Sequence, residues 1–324
     1  MRNGRYDRAI REALSDAMRA DPNVYLLGQD IRYGGVFGVT QTLLREFGPQ
    51  RIVDTPLSEN LILGEAIGSS LVGKRPVVEI QFADFVSVGF AMLTQFAASH
   101  YWRSGIPIPI VVRLPYGIKG AGGPYHSQSP EGWFLNIPGL KMVFPSTAQD
   151  AYGLLRTAIA DPNPVLFFEH KGLYQRKEAM GQFAEPAEEN EFIPFGQAVL
   201  KREGKDCLLV SYGAMVHLAL DAATALAEEE IECSVLDLRT LVPLDRQQLT
   251  RLASEIGKVV IVHEAPRSGG PAGEIAQLIR EADQRVIVER VASKDTPVPS
   301  SPNLEKDYLP KVDDIIKAVK KITK

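Results

Sequence analysis

Two side chains, the carboxylate of Glu59 and the imidazole of His126, stand in sequence settings that could support proton transfer. Glu59 closes the run Asp54-Thr-Pro-Leu-Ser-Glu59, which leaves a strand and leads into an apolar helix rich in small residues (Gly64, Ala66, Gly68, Ser69). A glutamate at a helix start is ordinarily a charge favoured by the helix dipole, so the position alone fits capping as well as catalysis. Glu79-Ile-Gln81-Phe-Ala-Asp84-Phe85 ends a buried strand and places polar groups at its carboxyl end. That is where open α/β sheets bind ligands. His126 lies in Tyr125-His-Ser-Gln-Ser129, within a long Gly/Pro loop from Pro115 to Pro130. Loops on a rigid scaffold often carry function, so this histidine outweighs those on helices.

Other motifs have simpler readings. Gly68-Ser-Ser-Leu-Val-Gly73-Lys74 has phosphate-loop spacing, but Arg75 replaces the required Ser or Thr and the segment ends a helix instead of starting one. Gly73 reads as a helix C-cap. Ser268-Gly-Gly-Pro-Ala-Gly273 opens a helix and reads as a capping segment, with anion binding at its N–H groups the alternative. His100, His170, His217 and His263 have no metal-ligand spacing with one another or with the cysteines. Cys207 and Cys233 sit inside apolar strand-like runs and read as buried, reduced thiols.

The elements that would position these residues follow from periodicity. Ile10, Ala13, Leu14, Ala17 and Met18 repeat at helical spacing until Asp21-Pro22 stops them. Short apolar runs at Val24–Leu27, Pro76–Phe82, Ile108–Val112, Leu140–Phe144 and Val165–Phe168 alternate with helical stretches near 60–72, 87–103 and 147–160. The pattern fails between His170 and Pro194, where the acidic run Glu185–Glu191 marks a linker. It restarts with strands at 207–212, 233–236, 259–262 and 285–291 and helices at 214–229, 245–256, 271–282 and 311–322. Continuous apolar strands alternating with helices predict two α/β domains with parallel sheets. The boundaries read as 1–175, a linker over 176–195, and 196–324.

The net charge of −4 and the scattered lysines and arginines make nucleic acid and anionic membrane poor partners. No apolar run approaches the roughly 18 residues of a membrane span, and Met1–Asp7 holds no apolar signal segment. The expected setting is cytoplasmic and reducing.

An ordered series of motifs is similar to the beta subunits of thiamine-diphosphate-dependent 2-oxo acid dehydrogenases of the pyruvate and branched-chain type. It comprises Asp54–Glu59, Glu79–Asp84, Tyr101-Trp-Arg-Ser-Gly105, Tyr125–Glu131 and Pro138-Gly-Leu-Lys141, then Asp161-Pro-Asn-Pro164, Asp237-Leu-Arg-Thr240, Asp295–Pro299 and Tyr308-Leu-Pro310. It spans nearly the whole chain, though no single piece is decisive.

The resemblance implies a pyrimidine-binding domain followed by a transketolase C-terminal-type domain, within an assembly of two alpha and two beta chains. Glu59 would exchange a proton with the cofactor aminopyrimidine, with Phe85 stacking on that ring and Leu57 and Gln81 lining its pocket. His126 would serve acyl transfer to a lipoyl group on the domain of a dihydrolipoyl acyltransferase core. Asp161 and Asn163, with Ile110 and Ala158, would match a structural potassium loop, although an Asx turn before Pro164 explains the first two equally well. The cofactor diphosphate and Mg²⁺ would be held by the alpha chain, since no Gly-Asp-Gly occurs here. Gln29 stands where the family usually has glutamate. The beta chain of acetoin dehydrogenase shares most of these motifs and is the alternative enzyme; a non-catalytic scaffold chain is the alternative outside enzymology.

Overall fold

The computed structural model describes residues 4–176 and 192–324. The expected linker over 176–195 falls mostly, with its acidic run, outside them. The chain divides into two compact units. One comprises Met1–Tyr116 and Asn136–Phe195, the other Gly117–Leu135 and Gly196–Lys324. Residues 117–135 thus interrupt the first unit in sequence but pack with the second.

In the first unit the strands are β1 (Val24–Gly28), β2 (Ile52–Asp54), β3 (Arg75–Glu79), β4 (Val111–Tyr116), β5 (Lys141–Val143) and β6 (Val165–His170). They run in the order β5-β6-β4-β3-β1-β2, every pair parallel. β1, β4 and β6 are buried along their whole length, as a sheet covered on both faces requires. The helices are α1 (Tyr6–Ala20), α2 (Leu43–Phe47), α3 (Glu59–Ser70), α4 (Ala98–Ser104) and α5 (Ala148–Ala160). α1 buries Ile10, Ala13, Leu14, Ala17 and Met18 and packs against α5, where Tyr152 donates a 2.8 Å hydrogen bond to Asp16. α3 ends before Gly73, whose φ of +89° suits a residue without Cβ, and β3 begins at Arg75. The phosphate-loop spacing is therefore a helix terminus.

The helix expected over 87–103 winds without interruption but changes pitch: Ala83–Gly89 is 3₁₀, Met92–Ala97 is a π segment, and Ala98–Ser104 is α-helical, with αR backbone at the joints Phe90, Ala91 and Ala97. Such π segments are frequent at functional sites.

In the second unit the strands are β7 (Val199–Arg202), β8 (Cys207–Ser211), β9 (Cys233–Asp237), β10 (Thr240–Val242), β11 (Lys258–Pro266) and β12 (Ile287–Ser293). Five of them follow the order β12-β11-β8-β9-β7. All these pairs are parallel except β7–β9, which is antiparallel and carries a bulge. β7 is a half-buried edge strand, so its Val-Leu-Lys-Arg sequence lacks the apolar run that marks the inner strands. The helices are α6 (Met215–Ala227), α7 (Arg246–Ile256), α8 (Ala272–Ala282), α9 (Pro302–Tyr308) and α10 (Val312–Thr323). α6 and α10 share a core with Leu209, Val235, Val260 and Val262. Cys207 and Cys233 face one another across β8 and β9, fully buried and unbridged. Hydrogen bonding with Cys233, then burial, pushes the Cys207 thiol up.

The centre of the first sheet carries a charge. Arg113, 1% exposed on β4, reaches Glu169 on β6 through Nε at 2.6 Å and one terminal nitrogen at 2.8 Å, and Glu79 on β3 through the other. Tyr174 donates to Glu169 at 2.7 Å. Burial pushes the Glu79 carboxyl up, against the pull of Arg113. Removing one partner from such a buried set leaves uncompensated charge. Arg113→Met is therefore expected to cost about 3–5 kcal/mol. Denaturant unfolding followed by circular dichroism checks this; an unchanged midpoint would show that the bridge contributes nothing.

Candidate active site

Three strand ends lie side by side. Gly28 pairs with Asp54 on one side and with Glu79 on the other. A Cβ at Gly28 would stand 2.7 Å from the Glu79 carbonyl oxygen, so the close approach of β1 and β3 requires glycine here. The segments that follow, 29–30, 55–59 and 80–85, therefore leave one edge of the sheet together. This brings Leu57, Glu59, Gln81 and Phe85 to the same end of the first unit, as ligand sites at strand carboxyl ends require.

Glu59 is the first residue of α3, after Ser58 in extended conformation. It is only 7% exposed, and its carboxylate makes no hydrogen bond or ion pair among the described residues. It therefore does not cap the helix through a side-chain bond. A capping carboxylate would bond the first-turn N–H groups. The helix dipole favours a negative charge at this end. Gly89, in the 3₁₀ turn, lies against the helix start: a Cβ there would collide with Leu63 Cδ1 and sit 3.4 Å from the Glu59 carbonyl oxygen.

Around it, Gln81 donates to Asp30 Oδ2 at 3.1 Å, and Asp30 holds a left-handed backbone with φ of +56°. Asp30 was not legible as a site residue in the sequence; its only signal is a polar residue just beyond a buried strand in a glycine-rich loop. Gln29 is 8% exposed and its Nε2 has no hydrogen-bond partner among the described residues. Phe85 is half-buried and meets Phe82 edge-to-face, ring centroids 5.7 Å apart. The Lys171 ammonium lies 5.1 Å from the Phe82 ring centre. Leu57 is 80% exposed, an apolar surface that nothing in its own unit covers.

His126 belongs to the second unit, with the 117–135 segment. It is half-buried and follows the short turn Gly123–Tyr125. The segment is tied down by Ile118 N–H donating to Glu264 at 2.6 Å and by Tyr212 donating to Glu131 at 2.6 Å. A Gly117 N–H to Gln128 carbonyl bond at 3.1 Å closes the loop on itself. Burial pushes His263, on β11, down to about 4, so it is neutral at ordinary pH. Ser268 donates to Asp295 through both N–H and hydroxyl at 2.8 Å, so the glycine-rich start of α8 is occupied by a carboxylate of the chain itself.

Ala158, Asp161 and Asn163 are neighbours at the end of α5, where the Asp161 N–H donates to the Ala158 carbonyl at 3.3 Å; Ile110 meets the strand after this loop. Val165 N–H donates to the Ile110 carbonyl at 3.0 Å, and Asp161 follows α5 as its C-cap. Asp161 Oδ1 accepts from the Asn163 N–H at 2.8 Å, which is the Asx turn, while Oδ2 pairs with the Lys141 ammonium. The carboxylate charge is thus already neutralised by a lysine. No group of three or more His, Cys, Asp or Glu suited to a metal ion occurs among the described residues. Main-chain oxygens are what this loop can offer a cation, a donor set that suits potassium.

No described helix is long and apolar enough to cross a membrane. The sequence matches the family "Transketolase, pyrimidine binding domain" over residues 5–177 and "Transketolase, C-terminal domain" over 196–315. It is 41% identical to the 2-oxoisovalerate dehydrogenase subunit beta of Bacillus subtilis, covering 98% of both chains. It is 38% identical to the pyruvate dehydrogenase E1 component subunit beta of Rickettsia felis, covering 97% of this chain and 96% of that one. It is also 41% identical to the acetoin:2,6-dichlorophenolindophenol oxidoreductase subunit beta of Cupriavidus necator, covering 98% and 96%. Among solved structures, a split-gene transketolase in an inactive beta4 tetramer shares the fold, with a TM-score of 0.82 at 22% identity over 99% of this chain and 98% of that one. With both domains matched in order and whole-length identity near two-fifths, the chain belongs to the beta-subunit family of the 2-oxo acid dehydrogenases.

Proposed function

We propose that this chain is the beta subunit of a 2-oxo acid dehydrogenase, supplying the pyrimidine half of a thiamine diphosphate site that an alpha chain completes. The observation that carries the reading is the Glu59 carboxylate, buried at the sheet edge and unpaired among the described residues. A buried acid in that condition suits a ligand that brings a hydrogen-bonding nitrogen to it. When bound, the cofactor supplies an electron sink for loss of CO₂ from the 2-oxo acid. Glu59 holds and exchanges a proton at the pyrimidine ring nitrogen, the task of a positioned acid–base group. Phe85 offers a ring face and Leu57 an apolar contact to the same pyrimidine, while Asp30 fixes the amide of Gln81 beside it. His126 serves the later step, transfer of the acyl group to a lipoyl domain of a dihydrolipoyl acyltransferase core.

The diphosphate and its Mg²⁺ fall to the alpha chain, because no Gly-Asp-Gly stands in this sequence. Potassium, held by main-chain oxygens around Ile110, Ala158, Asp161 and Asn163, would brace the loop after α5 without entering the chemistry. The working unit is two alpha and two beta chains. Leu57, Leu61, Val88, Phe96, Tyr101 and Trp102, all exposed and all between residues 57 and 102, supply apolar surface for such contacts. The domain division proposed is 1–175, 176–195 and 196–324, and the setting cytoplasmic.

Glu59→Gln in the assembled enzyme is expected to lower decarboxylation by roughly 10²–10⁴-fold while cofactor binding stays measurable. Steady-state rates near wild type would remove Glu59 from the mechanism. The isolated chain is expected to be inactive and to bind thiamine diphosphate poorly even with Mg²⁺. It should gain turnover only with its alpha partner, through an obligate interface of about 2,000–5,000 Å². Titration calorimetry on the isolated chain tests the first part. Assay of the copurified pair over branched-chain 2-oxo acids, pyruvate and acetoin tests the second and fixes the substrate. Tight Mg²⁺-dependent binding by this chain alone would overturn the half-site reading; turnover of acetoin and of no 2-oxo acid would move the enzyme to the acetoin class.

A further inference from the structure

The segment 117–135 carries His126, and two of the bonds that tie it to the rest of the second unit end on buried acids. Glu131, in the short turn Pro130–Trp133, is fully buried. Its Oε1 accepts from the Tyr212 hydroxyl at 2.6 Å, and its Oε2 has no hydrogen-bond partner among the described residues. Glu264, 4% exposed on β11, holds the other end of the segment through the Ile118 N–H. Close packing completes the seat: a Cβ on Gly132 would stand 2.6 Å from the Gly269 carbonyl oxygen, and one on Gly123 would collide with Ser300. Within the same segment the hydroxyls of Ser127 and Ser129 are buried and also lack partners among the described residues.

We propose that Glu131 is a positioning residue: hydrogen-bonded to Tyr212, it clamps the 117–135 segment onto the rest of the second unit and so sets where His126 stands for acyl transfer. This rests on the reading of His126 as the acyl-transfer group.

The groups facing Glu131 explain why the neutral form is the one that holds. Tyr212 follows β8, Glu264 lies on β11, and Tyr308 lies on α9, where burial and the nearby Glu264 and Glu131 push its phenol up to about 12. Glu131 itself pairs with no cation among the described residues. Burial, with the Glu264 carboxylate adding to it, pushes its own carboxyl up to about 7. An ionised Glu131 would be a second buried acid charge beside Glu264, with the Tyr212 hydroxyl and its own backbone N–H to offset burial.

The sign follows from the raised value. When the segment is released, Glu131 titrates as an ordinary carboxyl, near 4.3. The clamp is therefore strongest below that pH, weakens as pH rises, and is lost as pH passes through about 7.

The test uses the assembled alpha–beta enzyme with its cofactor, assayed by lipoyl-domain acylation and by decarboxylation with an artificial oxidant. The ratio of acylation to decarboxylation is followed between about pH 6 and 9, where a titrating positioning group shows as an inflection. Wild type should show the ratio falling through about pH 7. Glu131→Gln keeps an acceptor for Tyr212 but cannot ionise, so its ratio should lose the inflection. Glu131→Ala and Tyr212→Phe should lower the ratio at every pH, the former by about 10–100-fold, as misplacing a reacting group by an ångström does. Hydrogen exchange over 117–135 should quicken in Glu131→Ala, and in wild type as pH rises beyond the intrinsic chemical rate.

A wild-type ratio and inflection in Glu131→Gln, or unchanged exchange in Glu131→Ala, would overturn the clamp. His126→Ala is run alongside. A selective loss of acylation there with silent Glu131 variants sinks the clamp alone. Equal losses in both assays remove the acyl-transfer role of His126, and the exchange data then decide the clamp independently.

Discussion

The first unit is organised around a guanidinium that cannot leave the middle of its sheet. Arg113 ties β3, β4 and β6 through Glu79 and Glu169, three strands whose other residues are almost all apolar. Register follows from this, because sliding β3 by one residue would turn Glu79 to the opposite face and strand the charge. Holding β3 in register also fixes where its carboxyl end releases Gln81 and Phe85, and, through β1, where Asp30 stands. The buried bridge is weak as a source of stability, since desolvation offsets most of its Coulomb gain. Its value is in choosing one arrangement of the site edge over its neighbours.

The same physics, differently balanced, distinguishes the acids of this chain. Glu169 and Glu79 share a cation and a phenol, so their burial is compensated. Glu131 has one phenol and no cation, and its carboxyl rises to about 7. Glu59 has neither, but stands at a helix start and at the sheet edge. Burial alone therefore does not define a functional acid here. The compensated pair Glu79 and Glu169 organises the sheet, whereas on the reading proposed above Glu59 and Glu131 are completed by a ligand and by the 117–135 segment.

The transketolase-type arrangement also separates sequence neighbourhood from spatial neighbourhood. Residues 117–135 sit between two strands of the first sheet in sequence, yet pack against β11 and the start of α8 in the second unit. A loop can make that excursion at little entropic cost, since closure entropy grows slowly with length.

Much of this was legible in the sequence because it follows from local periodicity. Apolar runs marked the inner strands, helical spacing marked α1, and the ordered motifs placed Leu57, Glu59, Gln81, Phe85 and His126 as candidates. Edge strands such as β7 were not legible, because half-exposed residues lose the apolar signature. The change of pitch along 83–104, from 3₁₀ through π to α, was hidden too, since propensity cannot foresee how Gly89 must fit against Leu63. The Arg113 bridge left a faint signal, one arginine inside an apolar strand, but its two partners come from strands 34 and 56 residues away. Likewise nothing local joins Glu131 to Tyr212, 81 residues apart, or Ile118 to Glu264, 146 apart. Sequence alone determined which residue types stand at strand ends and loop tips, because those positions obey short-range rules. Only the tertiary structure decided which acids find partners, because compensation of a buried charge is a property of three-dimensional neighbours.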